Sequence, residues 1–150
     1  MQLILKLAFV LCFGFCRGEV KFEDCGSSGT DIKFSCSEGC SGDILELTKG
    51  KTTSFNLGFK SGEDSATLTN NIVGILGGGV EMPYNNIMST DFCSGLPAGS
   101  CPVKAGSYLE FTSNIEILPT YPTIPVTIKW EVKNAGSGNA VCILIKSKIV

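Results

Sequence analysis

The chain has no histidine, one arginine and one tryptophan in 150 residues. Without histidine there is no Ser-His-Asp or Cys-His pair, no imidazole base and no His-ligated zinc. The lone arginine, Arg17, lies in an N-terminal segment expected to be removed, so the mature chain lacks a guanidinium clamp for phosphate or carboxylate. No Asn-x-Ser/Thr triplet occurs, and no N-linked glycan is expected. No segment shows a convincing helical period. The leading apolar run, residues 7–15, is too short to cross a bilayer.

That run follows Lys6 and precedes Cys16-Arg17-Gly18. A cationic start, a short apolar stretch and small residues near a cut form the pattern of a secretory signal. Residues 1–18 are therefore expected to be a signal peptide and residues 19–150 the mature domain. The mature chain then carries ten lysines against 14 carboxylates, a net charge of about −4. This disfavours nucleic acid and anionic membrane surfaces, which need basic patches. Its length and apolar content suffice for one domain with a buried core.

What is present is alternation. Phe55, Leu57 and Phe59 alternate with Ser54, Asn56 and Gly58. Leu109, Phe111, Ser113, Ile115 and Ile117 share one face of a second stretch, and Val126, Ile128, Trp130 and Val132 share one face of a third. Shorter apolar segments at Val20/Phe22, Ile32/Phe34, residues 44–47 and residues 66–69 read as further strands. Residues 141–145 are continuously apolar, as for a strand covered on both faces. Residues 72–80 carry Gly74, Gly77, Gly78 and Gly79, which argues against a helix and for a strand breaking into a loop. Residues 82–102, with three prolines, read as an irregular connection. About seven or eight strands at this spacing imply an all-β fold, an antiparallel β-sandwich or barrel.

Six mature cysteines behind a secretory signal imply disulfides, and spacing alone does not choose among the many pairings. Cys36/Cys40 and Cys93/Cys101 are natural local pairs, which would leave Cys25 with Cys142. Oxidised in this way, Cys36 and Cys40 would hold no zinc. Catalytic motifs fail: Lys49-Gly50-Lys51-Thr52 lacks the upstream glycine of a phosphate-binding loop, and no Gly-x-Ser-x-Gly elbow exists. Glu110 and Glu116 sit on the polar face of a strand and read as a solvated surface rather than a glycosidase pair. No enzyme activity is expected.

Other residues carry a resemblance. Val20-Lys21-Phe22-Glu23-Asp24-Cys25 opens the mature chain, Leu47-Thr48-Lys49-Gly50 precedes the first alternating strand, and Cys101 is followed by Pro102. Leu118-Pro119-Thr120-Tyr121-Pro122 then leads to the strand of Trp130, and Cys142 opens the last strand. The mature chain resembles the Niemann-Pick type C2 family of ML (lipid-recognition) domains, which includes the group 2 mite allergens. The resemblance implies an immunoglobulin-like β-sandwich with a lipid tunnel between its sheets, and disulfides Cys25–Cys142, Cys36–Cys40 and Cys93–Cys101. It places the gate at Met82, Tyr84, Ile117 and Tyr121, and the walls at Phe55, Leu68, Ile72, Phe111, Ile128 and Trp130. It further implies a sterol, fatty acid or other apolar ligand, no cofactor and no bound metal. The carrier would be monomeric, would act outside the cell or in the lysosomal lumen, and would hand its ligand to a membrane protein or receptor. Two departures stand out: residues 75–80 are richer in glycine, and the stretch from Cys40 to Lys49 is longer.

The same wall residues would also build an ordinary filled core, since periodicity does not separate a solid sandwich from a hollow one. Three functions therefore remain open at this point: a lipid carrier, a recognition protein that presents lipid to a receptor, and a structural sandwich.

Overall fold

The computed structural model describes residues 18–40, 42–84, 90–94 and 96–150. The expected signal peptide lies outside them apart from Gly18, which begins the first strand.

Ten strands are present among the described residues: β1 (Gly18–Glu19), β2 (Glu23–Asp24), β3 (Thr30–Cys36), β4 (Leu45–Leu47), β5 (Thr52–Lys60), β6 (Leu68–Ile75), β7 (Glu81–Pro83), β8 (Tyr108–Glu116), β9 (Pro125–Asn134) and β10 (Asn139–Ile149). They form two sheets. The first has the order β1-β3-β5-β8. The second has the order β2-β10-β9-β6-β7, with β4 also paired to β10. The apolar members of each alternation face inward between the sheets, and Leu57, Phe59, Leu109, Val132, Val141, Ile143 and Ile145 are fully buried there. The β-sandwich expected from sequence is the fold.

Three details differ from the sequence reading. The strand expected around Val20 and Phe22 is instead a crossing: β1 pairs with β3 in one sheet, and β2 pairs with β10 in the other. The segment around residue 45 pairs with β10 in parallel, so the sandwich is not purely antiparallel. The expected strands at 66–69 and 72–80 are one strand, β6, which ends at a 3-10 turn over Gly77–Gly79. Gly78 and Gly79 both have φ near +80°, which glycine adopts without steric cost.

Three disulfides pin this frame. Cys25–Cys142 joins the end of β2 to β10 across 117 residues, beside a 2.8 Å hydrogen bond from the Cys25 N–H to the Cys142 carbonyl. Cys36–Cys40 closes the turn after β3, and Cys93–Cys101 closes the connection between β7 and β8. The second of these positions Phe92. Its ring stacks on Phe111 at 4.8 Å and lies 5.6 Å from Phe59, so this half of the sandwich is filled by aromatic rings.

Candidate functional site

The other half of the sandwich holds an apolar cleft of about 50 Å³. β6, β9 and β10 place Ile72, Ile128, Trp130 and Ile145 on one wall, and β3, β5 and β8 place Phe34, Phe55 and Ile115 on the other. Register explains the first wall: Ile72 is directly opposite Trp130, and Trp130 directly opposite Ile143, so their side chains share the inner face. Trp130 is 1% exposed and forms the floor. Phe34 and Phe111 meet it edge-on, at 5.9 and 6.1 Å. Its indole N–H donates to Asn70 Oδ1 at 2.9 Å, which satisfies the polar atom that burial would otherwise orphan.

Two tyrosines stand at the mouth. Tyr84 follows β7, and its backbone N–H donates to the Ile72 carbonyl at 3.0 Å. Tyr121 closes a turn by donating its N–H to the Leu118 carbonyl at 3.1 Å, between Pro119 and Pro122. The two rings are 6.3 Å apart and nearly perpendicular, and both are half-buried. Burial, then the neighbouring Tyr121, pushes the Tyr84 phenol above its ordinary pKa, so it stays protonated at any physiological pH. Asp, Glu and Lys are absent from the described lining.

Seven of the ten residues expected at the site meet at this cleft: Phe55, Ile72, Tyr84, Ile117, Tyr121, Ile128 and Trp130. Three do not. Phe111 is buried and outside the cleft lining, stacked on Phe92 in the aromatic half of the sandwich. Leu68 lies at the far end of β6, opposite Asn134, in the packed core. Met82 stands on the three-residue edge strand β7 and is 52% exposed, on the rim rather than inside. Sequence reasoning missed Phe34, Leu47, Ile115, Val126, Ile145 and Ile149. Alternation would have found Val126, two residues before Ile128 on the same face, and Ile115 likewise. Ile145 sits in a continuously apolar run whose inner face cannot be read from pattern.

A second depression, of about 280 Å³, lies on the outside of the sheet between β2 and β4. Phe22 and Leu144 form its floor, and Lys21, Glu23, Asp43 and Lys146 surround it. Lys21 and Asp43 are paired there at 2.8 Å and are both largely exposed. It is roomier than the cleft, but its charged rim suits solvent better than an apolar ligand.

The expected fold has known counterparts. The chain is 30% identical to the NPC intracellular cholesterol transporter 2 homolog a of Drosophila melanogaster, over 97% of this chain and 99% of that protein. It is likewise 30% identical to the mite group 2 allergen Pso o 2 of Psoroptes ovis, over 99% and 98%. The crystal structure of a Niemann-Pick type C2 protein from Japanese carpenter ant superposes with a TM-score of 0.74 at 22% identity, covering 87% of this chain and 99% of that one. The sequence model of the ML domain matches residues 19–149, and the chain belongs to the ML-domain family.

Proposed function

We propose that this chain is a secreted carrier that buries a sterol, an acyl chain or a similar apolar ligand in the cleft between its sheets. The observation that carries the reading is the lining: apolar side chains throughout, joined by two half-buried tyrosines. Removing apolar surface from water yields about 25 cal/mol per Å² and needs few polar contacts. The role is binding, not catalysis. The name of the Drosophila relative, a cholesterol transporter homologue, supports the ligand class. The three disulfides support an oxidising compartment, outside the cell or in the lysosomal lumen, and the start of the family match supports a mature domain from residue 19.

The cleft volume adds a condition. Pockets for drug-sized ligands run to about 300–1,000 Å³. At about 50 Å³ this cleft is several-fold smaller. Uptake therefore requires the two sheets to part around the ligand, so that packing of one sheet on the other is exchanged for packing of both against it. Organic extraction of the secreted protein followed by mass spectrometry tests the reading. A co-purifying sterol or fatty acid is the expected result. An empty extract, together with no uptake of a fluorescent sterol or fatty acid by the purified protein, would leave the structural sandwich as the better reading.

The lipid-presenting reading is favoured by the rim. Val80 and Met82 are 58% and 52% exposed, and Leu118 is 39% exposed. They precede the two gate tyrosines in the chain by four, two and three residues. Apolar side chains exposed at a mouth suit hand-off to a receptor or membrane protein.

A further inference from the structure

Gly74 stands in the interior of β6, paired with Ile128 on one side and Met82 on the other. A glycine there weakens a strand and marks a place where something approaches the backbone closely. Its backbone is not left-handed, so conformation does not demand glycine. Space does. A Cβ at residue 74 would lie 2.8 Å from Cε2 and 3.4 Å from Cδ2 of Tyr84, and 3.2 Å from Cγ2 of Val126. The Tyr84 ring therefore lies directly on the bare strand. The neighbouring glycines of the same run differ: Gly77, Gly78 and Gly79 have open space where their Cβ would be.

We infer that Gly74 is the seat of the gate, a positioning residue that lets the Tyr84 ring close against the strand at the mouth and so sets the rate of ligand exchange. The inference rests on the carrier reading above. The strand beneath is anchored on both sides, so it cannot retreat from an added methyl group. Val126 can yield by a few tenths of an ångström. The Tyr84 ring follows the end of the short edge strand β7 and is half-buried, so it is the group that swings outward. Swinging outward moves it away from the cleft and ends its perpendicular packing against Tyr121. A gate that controls passage alone changes entry and exit together and leaves the equilibrium nearly unchanged.

The test is a cycle of four proteins: wild type, Gly74→Ala, Tyr84→Ala and the double variant. Stopped-flow uptake and release of dehydroergosterol, with cis-parinaric acid as the acyl-chain probe, give both rate constants. Gly74→Ala is expected to raise entry and exit each by about threefold or more, with the dissociation constant moving less than twofold. In the Tyr84→Ala background the same substitution is expected to change neither rate. Equal acceleration in both backgrounds, or no acceleration in either, overturns the inference. Thermal melting of all four controls for folding: a clash with the ring predicts that Gly74→Ala lowers the melting temperature less once Tyr84 is gone. The ring's position is read without ligand, as a ring-current shift of the Gly74 Hα resonances that disappears in Tyr84→Ala. Absence of that shift removes the seat itself. Its presence in a protein that takes up neither probe would defeat the carrier reading and the exchange claim while leaving the seat in place.

Discussion

Trp130 and Asn70 are joined inside the sandwich by a 2.9 Å hydrogen bond from the indole N–H to the side-chain carbonyl. They lie on neighbouring strands, offset by two residues in the register: Ile72 is opposite Trp130, and Asn70 is opposite Val132. The bond lets the largest side chain of the core sit at the floor of the cleft with its single polar atom satisfied. Phe34 and Phe111 then pack against it, each nearly perpendicular to its plane. Trp130 is thus the partition between the aromatic half of the sandwich that Phe92 fills and the half that holds the cleft.

Asn70→Ala is expected to leave that N–H buried without its partner, at a cost of about 1–3 kcal/mol. Denaturant unfolding measures the loss, and the near-ultraviolet circular dichroism of the tryptophan reports its altered setting. An unchanged midpoint would mean that another acceptor or a water replaces Asn70.

Truncating the floor and the gate separates stability from binding. Trp130→Ala removes a fully packed aromatic and is expected to cost about 3–5 kcal/mol as well as ligand affinity. Tyr84→Ala, at a half-buried loop position, is expected to cost under about 1 kcal/mol while speeding both uptake and release of sterol. Equal losses of stability in the two variants, with sterol affinity unchanged in Trp130→Ala and exchange rates unchanged in Tyr84→Ala, would point to a solid sandwich.

Cys25→Ser is expected to lower the melting temperature sharply and leave Cys142 as a titratable thiol. The bridge spans 117 residues, and on the chain-entropy argument a ring of that size is worth up to about 5 kcal/mol. Thiol counting under denaturing conditions, with melting before and after reduction of the wild type, checks both halves of the expectation.

The long strands were legible because each buries one face, and period-two alternation is the direct trace of that burial. β5, β8 and β9 are all visible in this way. β4 was visible as the short apolar segment at 44–47, though its parallel pairing with β10 has no local signature, and β1, β2 and β7 were not, since two or three residues carry no period. The cleft was only partly legible. Phe111 and Phe55 occupy equivalent alternating positions, yet one faces Phe92 and the other faces the cleft. What decides between them is a phenylalanine from an irregular, disulfide-closed connection, and no pattern in the strands records where it inserts. Gly74 was visible in the sequence as one of several glycines, and only the Tyr84 ring above it shows why it differs from the others.

The pH response follows from which groups titrate and where they sit. The described cleft is lined by apolar residues and tyrosines, with no carboxylate or amine among them, and Tyr84 is held above its ordinary pKa. The absent histidine removes the usual switch in that window. The carboxylates that are shifted lie outside the cleft and are all shifted downward. Burial would raise Glu131, but the hydrogen bond from Lys133 at 3.1 Å and the charges of Lys133 and Lys129 outweigh it. Asp24 is lowered by the backbone N–H groups of Ser27 and Gly26, and Asp43 by Lys21. A lowered folded-state pKa means that the unfolded chain binds protons more readily, so stability rises with pH between the lowered and the ordinary carboxylate values. The contribution is fully present above the ordinary carboxylate values and is lost only as pH falls through the lowered ones. Stability is therefore expected to be flat from pH 7.4 to 5.5 and to decline below about pH 4. Affinity for a neutral sterol is expected to change less than about threefold over the upper range, under about 0.7 kcal/mol. A fatty acid would titrate itself and is unsuitable as the probe. Dissociation constants for a fluorescent sterol at the two pH values, in matched salt, decide the matter. A tenfold shift would place a titrating group in control of the mouth and refute burial alone as the binding mechanism.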